Sequence, residues 1–353
     1  MRLYIILLIF TIGISTSCKD LFNPEEDTVN LPLVVEGLIT DEATSYTVKL
    51  FTATKFSSNE DYSNVTNAMV TVSDDCGNTY KFTETTSGIY VSNPAEFVGQ
   101  PGRTYTLSVS SDNYTFNSDP QLLFPNDFDV KTYAEFGSQN QLVDNGSDNP
   151  YVETVQGVNL LVDVNNNSDT LPRFRFVHTT YNEYKYYVQI SPSIIYGFYC
   201  WKYLSDNDLF NLTTGDLQTS TKNIERHAIC FIPKIEEVTA YFNGSAIPAY
   251  VIKQISKVSQ YRINNETYQY YKDANSIMAA QGKLFDPIAF QLKGNMKCIS
   301  NLKKEVLGFF EASSVRTGYY AIKPGSKDIL NIKSFEPPSL SGSASVLPDF
   351  WVN

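Results

Sequence analysis

Histidine is almost absent from this sequence: 353 residues contain only His178 and His227. That leaves little for imidazole acid–base chemistry and little for a zinc site, whose usual ligands are His and Cys. Basic residues are outnumbered, with 27 Lys and Arg against 38 Asp and Glu, for a formal net charge of −11. An acidic chain is repelled by phosphate backbones, so no nucleic-acid partner is expected. The chain also lacks a C-x-x-C pair, a G-x-S-x-G elbow, an H-E-x-x-H helix and a P-loop. Hydrolase, metalloprotease and nucleotide-triphosphatase chemistry lose their usual signatures with them. A non-catalytic chain with no cofactor and no metal is the expectation. No apolar run reaches the roughly 20 residues that a membrane-spanning helix needs.

The longest apolar stretch is at the start. Arg2 supplies a positive charge, Leu3 to Ile14 is uncharged and strongly apolar, and the small residues Ser15, Thr16 and Ser17 lead into Cys18. A short basic start, a short apolar core and small residues before a cut site describe a secretory signal peptide over 1–17. Cys18 at the cut site is the lipidation position of a lipobox, with Ser15 standing where Leu is usual. Acylation of Cys18 would hold the mature protein on a bilayer, since two or more chains anchor stably where one does not. Residues 18–30, with Asp20 and Glu25-Glu26-Asp27, read as an acidic tether.

What the chain has in quantity is aromatic residues, with 24 Tyr and 22 Phe. Tyr and Phe favour strands. From 31 to 122, short alternating segments recur with turn signals between them. Thr104 to Ser110 is the clearest, with Tyr105, Leu107 and Val109 expected inward and Thr104, Thr106 and Ser108 outward. Asp75-Cys76-Gly77-Asn78 and Pro101-Gly102 read as turns. The pattern predicts an immunoglobulin-like β-sandwich. After Phe124-Pro125-Asn126, residues 123–353 read as a larger β-rich domain. Its expected strands are 157–164, 173–180, 184–191, 229–232, 249–258, 289–292, 306–312 and 319–322, with a polar loop over 138–150. One helix is expected near 265–281, capped by Asn264 or Asn265 and stopped by Gly282, with Tyr268, Tyr271 and Met278 on its buried side and Asn275 and Gln281 facing outward. The fold class is mainly β, and residues 31 to about 121 are expected to fold alone.

Several constellations invite a functional reading, each beside a plainer one. Asp163, Asn165, Asn167 and Asp169 have calcium-loop spacing, but Ser168 and Phe174 stand where such a loop needs Gly and a bidentate Glu, which favours a polar turn. Cys76, Cys200, Cys230 and Cys298 remain after lipidation; the exported route permits disulfides, and the alternatives are a Cys200–Cys230 bridge or buried thiols. Thr28 in Asp27-Thr28-Val29 and Thr170 in Asp169-Thr170-Leu171 fit a bacterial O-glycosylation pattern. Tyr181 to Tyr187 and Phe198-Tyr199-Cys200-Trp201 are either core or a stacking surface for sugar or peptide. His178 reads as a packing or solvated strand residue and His227 as part of a surface face.

An ordered set of segments carries a family likeness. Leu33-Val34-Val35-Glu36-Gly37-Leu38-Ile39-Thr40-Asp41, Tyr46 to Leu50, Ala68 to Asp74, Cys200-Trp201, Gly282-Lys283-Leu284-Phe285-Asp286-Pro287, Gly294-Asn295 and Val306-Leu307-Gly308-Phe309-Phe310 follow one another. Together they resemble the Bacteroidota lipoprotein family called domain of unknown function 4249, with Phe309 where Tyr is commoner. The acidic residues behind Cys18 likewise resemble the signal that exports such lipoproteins to the outer leaflet. The resemblance implies a surface-exposed outer-membrane lipoprotein. It also implies an accessory role beside an outer-membrane β-barrel of the TonB-dependent receptor type, in ligand capture or uptake. It assigns no catalytic residue. Alternatives of other classes are a glycan- or peptide-binding adhesin module, or an accessory subunit of an outer-membrane protein assembly or secretion machine.

Overall fold

The computed structural model describes residues 31–52, 62–125, 128–143, 151–165, 171–191, 194–205, 209–214, 223–234, 237–242, 245–280, 292–322 and 329–332. Nine short strands come first: β1 (Leu33–Ile39), β2 (Thr47–Thr52), β3 (Ser63–Asn64), β4 (Met69–Asp74), β5 (Thr79–Thr86), β6 (Ile89–Ser92), β7 (Thr104–Ser111), β8 (Tyr114–Ser118) and β9 (Gln121–Leu122). Alternation sets their faces. Tyr105, Leu107 and Val109 are buried while their neighbours are only partly so. The β4–β5 turn is built by Asp74, whose carboxylate accepts the N–H groups of Cys76 and Asn78 at 2.9 Å, while Gly77 takes φ +87°. A carboxylate that satisfies turn amides in this way is the Asx device expected of Asp.

The second part is built from longer strands: β10 (Asp129–Val143), β11 (Tyr151–Asn165), β12 (Arg173–Ser191), β13 (Ile194–Ser205), β14 (Asn211–Thr214), β15 (Ile224–Pro233), β16 (Glu237–Phe242) and β17 (Ser245–Arg262). Then come helix α1 (Asn265–Ala280) and strands β18 (Met296–Cys298), β19 (Val306–Ala312), β20 (Ser314–Ile322) and β21 (Ile329–Ile332). The architecture is mainly β with one α-helix among the described residues, as the composition predicts. Most strands run longer than the sequence reading has them, and at two places the reading itself changes. Residues 138–143, expected in a loop, continue β10 as a ribbon paired to β11, from Ser138↔Gln156 to Val143↔Tyr151. The separate strands expected at 173–180 and 184–191 are one strand, because β12 is paired to β17 straight through Tyr181, Asn182 and Glu183. Expected strand residues 289–291 lie outside the described residues.

The first sheet is not made from the first part alone. Its strand order is β18-β8-β7-β4-β5-β6-β2-β1-β19, so both ends of the path come from the C-terminal part of the chain. β19 runs parallel to β1, from Leu33↔Val306 to Ile39↔Ala312, and β18 pairs with β8. Met296, Cys298, Phe310 and Ala312 are buried in one core with Val35, Val48, Leu107 and Phe116. This corrects the expectation that 31–121 carries a self-contained core.

Asn295 draws the two ends of the sheet together. Its side-chain amide donates to the Phe310 carbonyl at 2.8 Å and accepts the Phe310 N–H at 2.9 Å, imitating a ladder partner for the edge of β19. The residue is fully buried. Gly294 is needed beside it, because a Cβ there would sit 1.6 Å from the Gly308 carbonyl oxygen. Gly308 itself takes φ +95°, a conformation that favours glycine.

The remaining strands form two further sheets, β10-β11-β15 and β13-β12-β17-β20-β21, with β14 paired to β12 and β16 to β17. They face each other across a second core of Leu160, Val162, Val164, Phe174, Phe176, Ile224, Ile229 and Val258.

Candidate functional site

The helix forms one wall of a cleft. Asn264 caps it, accepting the Thr267 N–H through Oδ1 at 2.7 Å, as expected from the sequence. Thr267, Tyr271 and Ala274 then follow at helical spacing on the packed side, joined by Tyr270 and Ile277. Met278 departs from its expected place and is 40% exposed at the cleft mouth. The opposing wall is the outward face of β1, β2 and β19. Glu36 and Leu38 point there because Val35 and Ile39 point into the core, and Lys49 and Thr47 stand across from them. Phe309 comes from β19, opposite Glu36. The cleft between helix and sheet measures about 680 Å³.

Its surface is aromatic. Tyr270 stacks on Phe309 with ring centres 4.4 Å apart, and Phe210 packs on Tyr271 at 4.5 Å. Asn275 holds Phe210 in place: its amide accepts the Phe210 N–H at 2.7 Å and donates to the Phe210 carbonyl at 2.8 Å. Asn275 was expected to face outward; pairing with this backbone draws it in. Burial, with Glu36 nearby, pushes the Tyr270 hydroxyl above its ordinary pKa, so it is a neutral donor at the cleft wall. Lys49 and Glu36 lie 4.0 Å apart at the exposed rim, a pair of small energetic consequence.

Behind the cleft lies a buried ionic cluster. Arg175 on β12 donates from Nη2 to both Glu311 oxygens at 3.0 and 3.1 Å. The same carboxylate accepts the Tyr271 hydroxyl at 2.7 Å and the Ser313 hydroxyl at 2.7 Å. The guanidinium lies 4.2 Å from the Tyr261 ring centre and 4.8 Å from that of Tyr271, both within cation–π reach. Burial alone would lower the Arg175 pKa, but the Glu311 carboxylate more than offsets it and holds the group above its ordinary value. Burial and Glu311 push the Tyr271 hydroxyl well up. Arg175 stays charged and Tyr271 neutral near neutral pH. The cluster therefore joins β12, α1 and β19 and sets the back of the cleft. The surface it supports suits an apolar or aromatic segment, with hydrogen-bonding groups at the edges.

The residues singled out in the sequence are distributed differently. Cys18, Thr28 and Thr170 lie outside the described residues. Cys200 sits on β13 opposite Tyr184 and Cys230 on β15 opposite Leu160, in different sheets. Cys76 is an exposed thiol in the β4–β5 turn and Cys298 a buried one in the first core. Asp163 accepts from the Tyr133 hydroxyl and the Arg226 N–H, and the Asn165 amide donates to Asp129. Asn167 and Asp169 are outside the described residues. His178 is a packing residue, buried beside the Thr180 hydroxyl at 3.2 Å. His227, expected on the surface, is stacked on Phe176, with ring centres 5.4 Å apart. In the Tyr181–Tyr187 stretch Tyr181 is buried and Tyr187 exposed.

Arg175, Glu311, Phe210 and the pairing roles of Asn275 and Asn295 went unread in the sequence. The Phe174-Arg175-Phe176 alternation does give Arg175 the face opposite the two Phe, but the sequence carries no sign that a helix and Glu311 cover that face.

Comparison with curated proteins and with solved structures returns no match. A family model described as "Domain of unknown function (DUF4249)" matches residues 19–318. That span takes in the opening strand β1, its parallel partner β19 and the Gly294-Asn295 closure between sheet ends. The resemblance segments in β1, β2, β4 and β19 share one sheet, Cys200-Trp201 lies on β13 in another, and Gly282 to Pro287 lies outside the described residues; the chain belongs to the DUF4249 family.

Proposed function

We propose that this protein is a lipid-anchored accessory subunit on the outer-membrane surface that docks on a β-barrel of the TonB-dependent receptor type and helps it capture or admit a ligand. The observation that carries the reading is the aromatic cleft beneath α1, a preformed wall of Tyr270, Phe309, Phe210 and Ile277 of a size suited to a segment of a partner protein. Cys18, placed behind an apolar leader, supports the anchor. The tether joins at the Leu33 end of β1, whereas the Ile39 end leads to β20, where Asp41 accepts the Val315 N–H at 2.8 Å. The C-terminal sheets therefore extend from the end of β1 remote from the tether.

Affinity purification of the full-length lipoprotein from detergent-solubilised outer membrane tests the reading. A stoichiometric barrel should be recovered with the native chain and lost when Ala274→Arg fills the cleft. Recovery of the monomer alone would count against it. Recovery of many unrelated outer-membrane proteins, with the assembly factor among them, would favour an assembly-machine subunit instead.

A further inference from the structure

A second opening lies between the two C-terminal sheets, away from the helix. Its position follows from strand register. The packed core ends near Leu160 and Val258; beyond it the buried face of β12 and β17 turns polar. His178, Thr180 and Asn182 share one face of β12, by alternation, and lie opposite Val258, Ser256 and Gln254 of β17. Ser256 and Asn182 have no measurable exposure, and Gln254 has almost none. A polar row on the inward face of two central strands is costly unless it is hydrogen-bonded. The Ser256 hydroxyl has no partner among the described residues.

Next to that row is a cavity of about 210 Å³, with Gln254 and Ile322 on one side and Gln156, Val158 and Ile232 of the facing sheet on the other. Phe136 stands at its edge and is 62% exposed. Among the described residues, neutral amides dominate the polar lining and Lys234 is the one charged lining residue. The volume is below the roughly 300–1,000 Å³ of a drug-sized pocket. Phosphates and carboxylates lack a cluster of cationic groups here. What the lining offers is amide donors and acceptors on the walls and an accessible aromatic ring at the mouth. Those groups suit a small, neutral molecule with many hydroxyls and one apolar face, and rings of the Phe type favour such a face.

We propose that this cavity binds a single neutral sugar ring, with Gln254 and Gln156 hydrogen-bonding its hydroxyls and Phe136 stacking on its apolar face. The site uses none of the residues of the α1 cleft, so it stands whether or not the chain docks on a barrel. Saturation-transfer NMR on the full chain in lauryldimethylamine oxide, a detergent with no sugar headgroup, is the test. The probes are glucose, galactose, mannose and N-acetylglucosamine at millimolar concentration, with Gly-Gly-Gly as the neutral peptide control. Transfer to at least one sugar is expected, with affinity falling about tenfold or more in Gln254→Leu, as for loss of a buried hydrogen bond. Phe136→Ala, at an exposed position that folding does not depend on, should weaken binding as well and keeps the test decisive if Gln254→Leu fails to fold. Transfer to none of the sugars, transfer unchanged by Phe136→Ala, or transfer to the peptide alone would overturn the assignment.

Discussion

Tyr105 and Thr106 are adjacent in β7 and lie on opposite faces of it. Tyr105 is buried in the first core and its hydroxyl accepts the Gln100 N–H at 2.8 Å; Thr106 is only partly covered. Tyr105→Asp leaves a buried carboxylate without a partner, at a cost of several kcal/mol, roughly, against a typical total of about 5–15 kcal/mol. Thr106→Asp should be tolerated. Thermal melts of the two full-length variants check this, and equal damage would mean that both faces of β7 are closed. His227 gives a pH dependence. Burial holds its pKa down at about 4, against an ordinary 6.5. The unfolded chain therefore binds the proton more readily than the folded one. Stability is intact above about pH 6.5 and declines as pH falls towards 4, by up to about 3 kcal/mol for this group. Asn211 donates its amide to the Ala228 and Ile229 carbonyls, leaving its oxygen to accept from His227 Nε2 at 2.6 Å. Urea unfolding at pH 7 and pH 4.5 should show a smaller acid loss in His227→Gln than in the native chain; an equal loss would assign the sensitivity to other groups. The faces of β7 were legible from alternation alone. The burial of His227 was not, because Glu225-Arg226-His227 is polar and the covering Phe176 comes from a different sheet.

At the scale of elements, α1 is held by a charge pair as well as by its apolar side. Arg175, Glu311 and Tyr271 come from β12, β19 and α1, so breaking the pair should loosen all three. Arg175→Met alone leaves Glu311 buried with its charge uncompensated, and removing one partner of a buried pair costs about 3–5 kcal/mol. Arg175→Met combined with Glu311→Leu removes both charges and should cost less than the single change. Calorimetry of the single and double variants checks this; a double variant worse than the single one would mean that the hydrogen bonds of Tyr271 and Ser313, not the ion pair, hold the junction. The helix was readable in the sequence from Asn264 onward, including its cap. Its buried side was read one position off at the C-terminal end, where Met278 falls at the cleft mouth and Ile277 lines the wall. The long strands were harder. Tyr181-Asn182-Glu183 looks like an interruption because polar residues are rare inside a central strand, and Ser138 to Gln141 looks like a loop because a paired ribbon needs no apolar face.

For the whole molecule, the chain closes on itself. β1 and β19 are separated by most of the sequence and pair in parallel along their length. Periodicity reads local elements well and carries no information on pairing between distant ones, which is why 31–122 looked complete. A fragment limited to 31–122 lacks β18, β19 and the Asn295 clasp, and leaves the core faces of Val35, Val48 and Phe116 without Phe310, Ala312 and Met296. It should show no cooperative thermal transition by circular dichroism, whereas residues 19–332 should show one. A sharp melt in the short fragment would mean that the C-terminal strands only decorate a core already formed.

A photo-crosslink from the mouth of the cleft beneath α1 tests whether the barrel partner proposed above occupies it. Met278, exposed at the mouth, is replaced by p-benzoylphenylalanine in living cells and irradiated, with the same probe at exposed Leu302, which does not line the cleft, as control. One dominant adduct is expected from position 278, containing a single outer-membrane barrel protein, and none of that adduct from position 302. No adduct from position 278, or the same adducts from both positions, would contradict it.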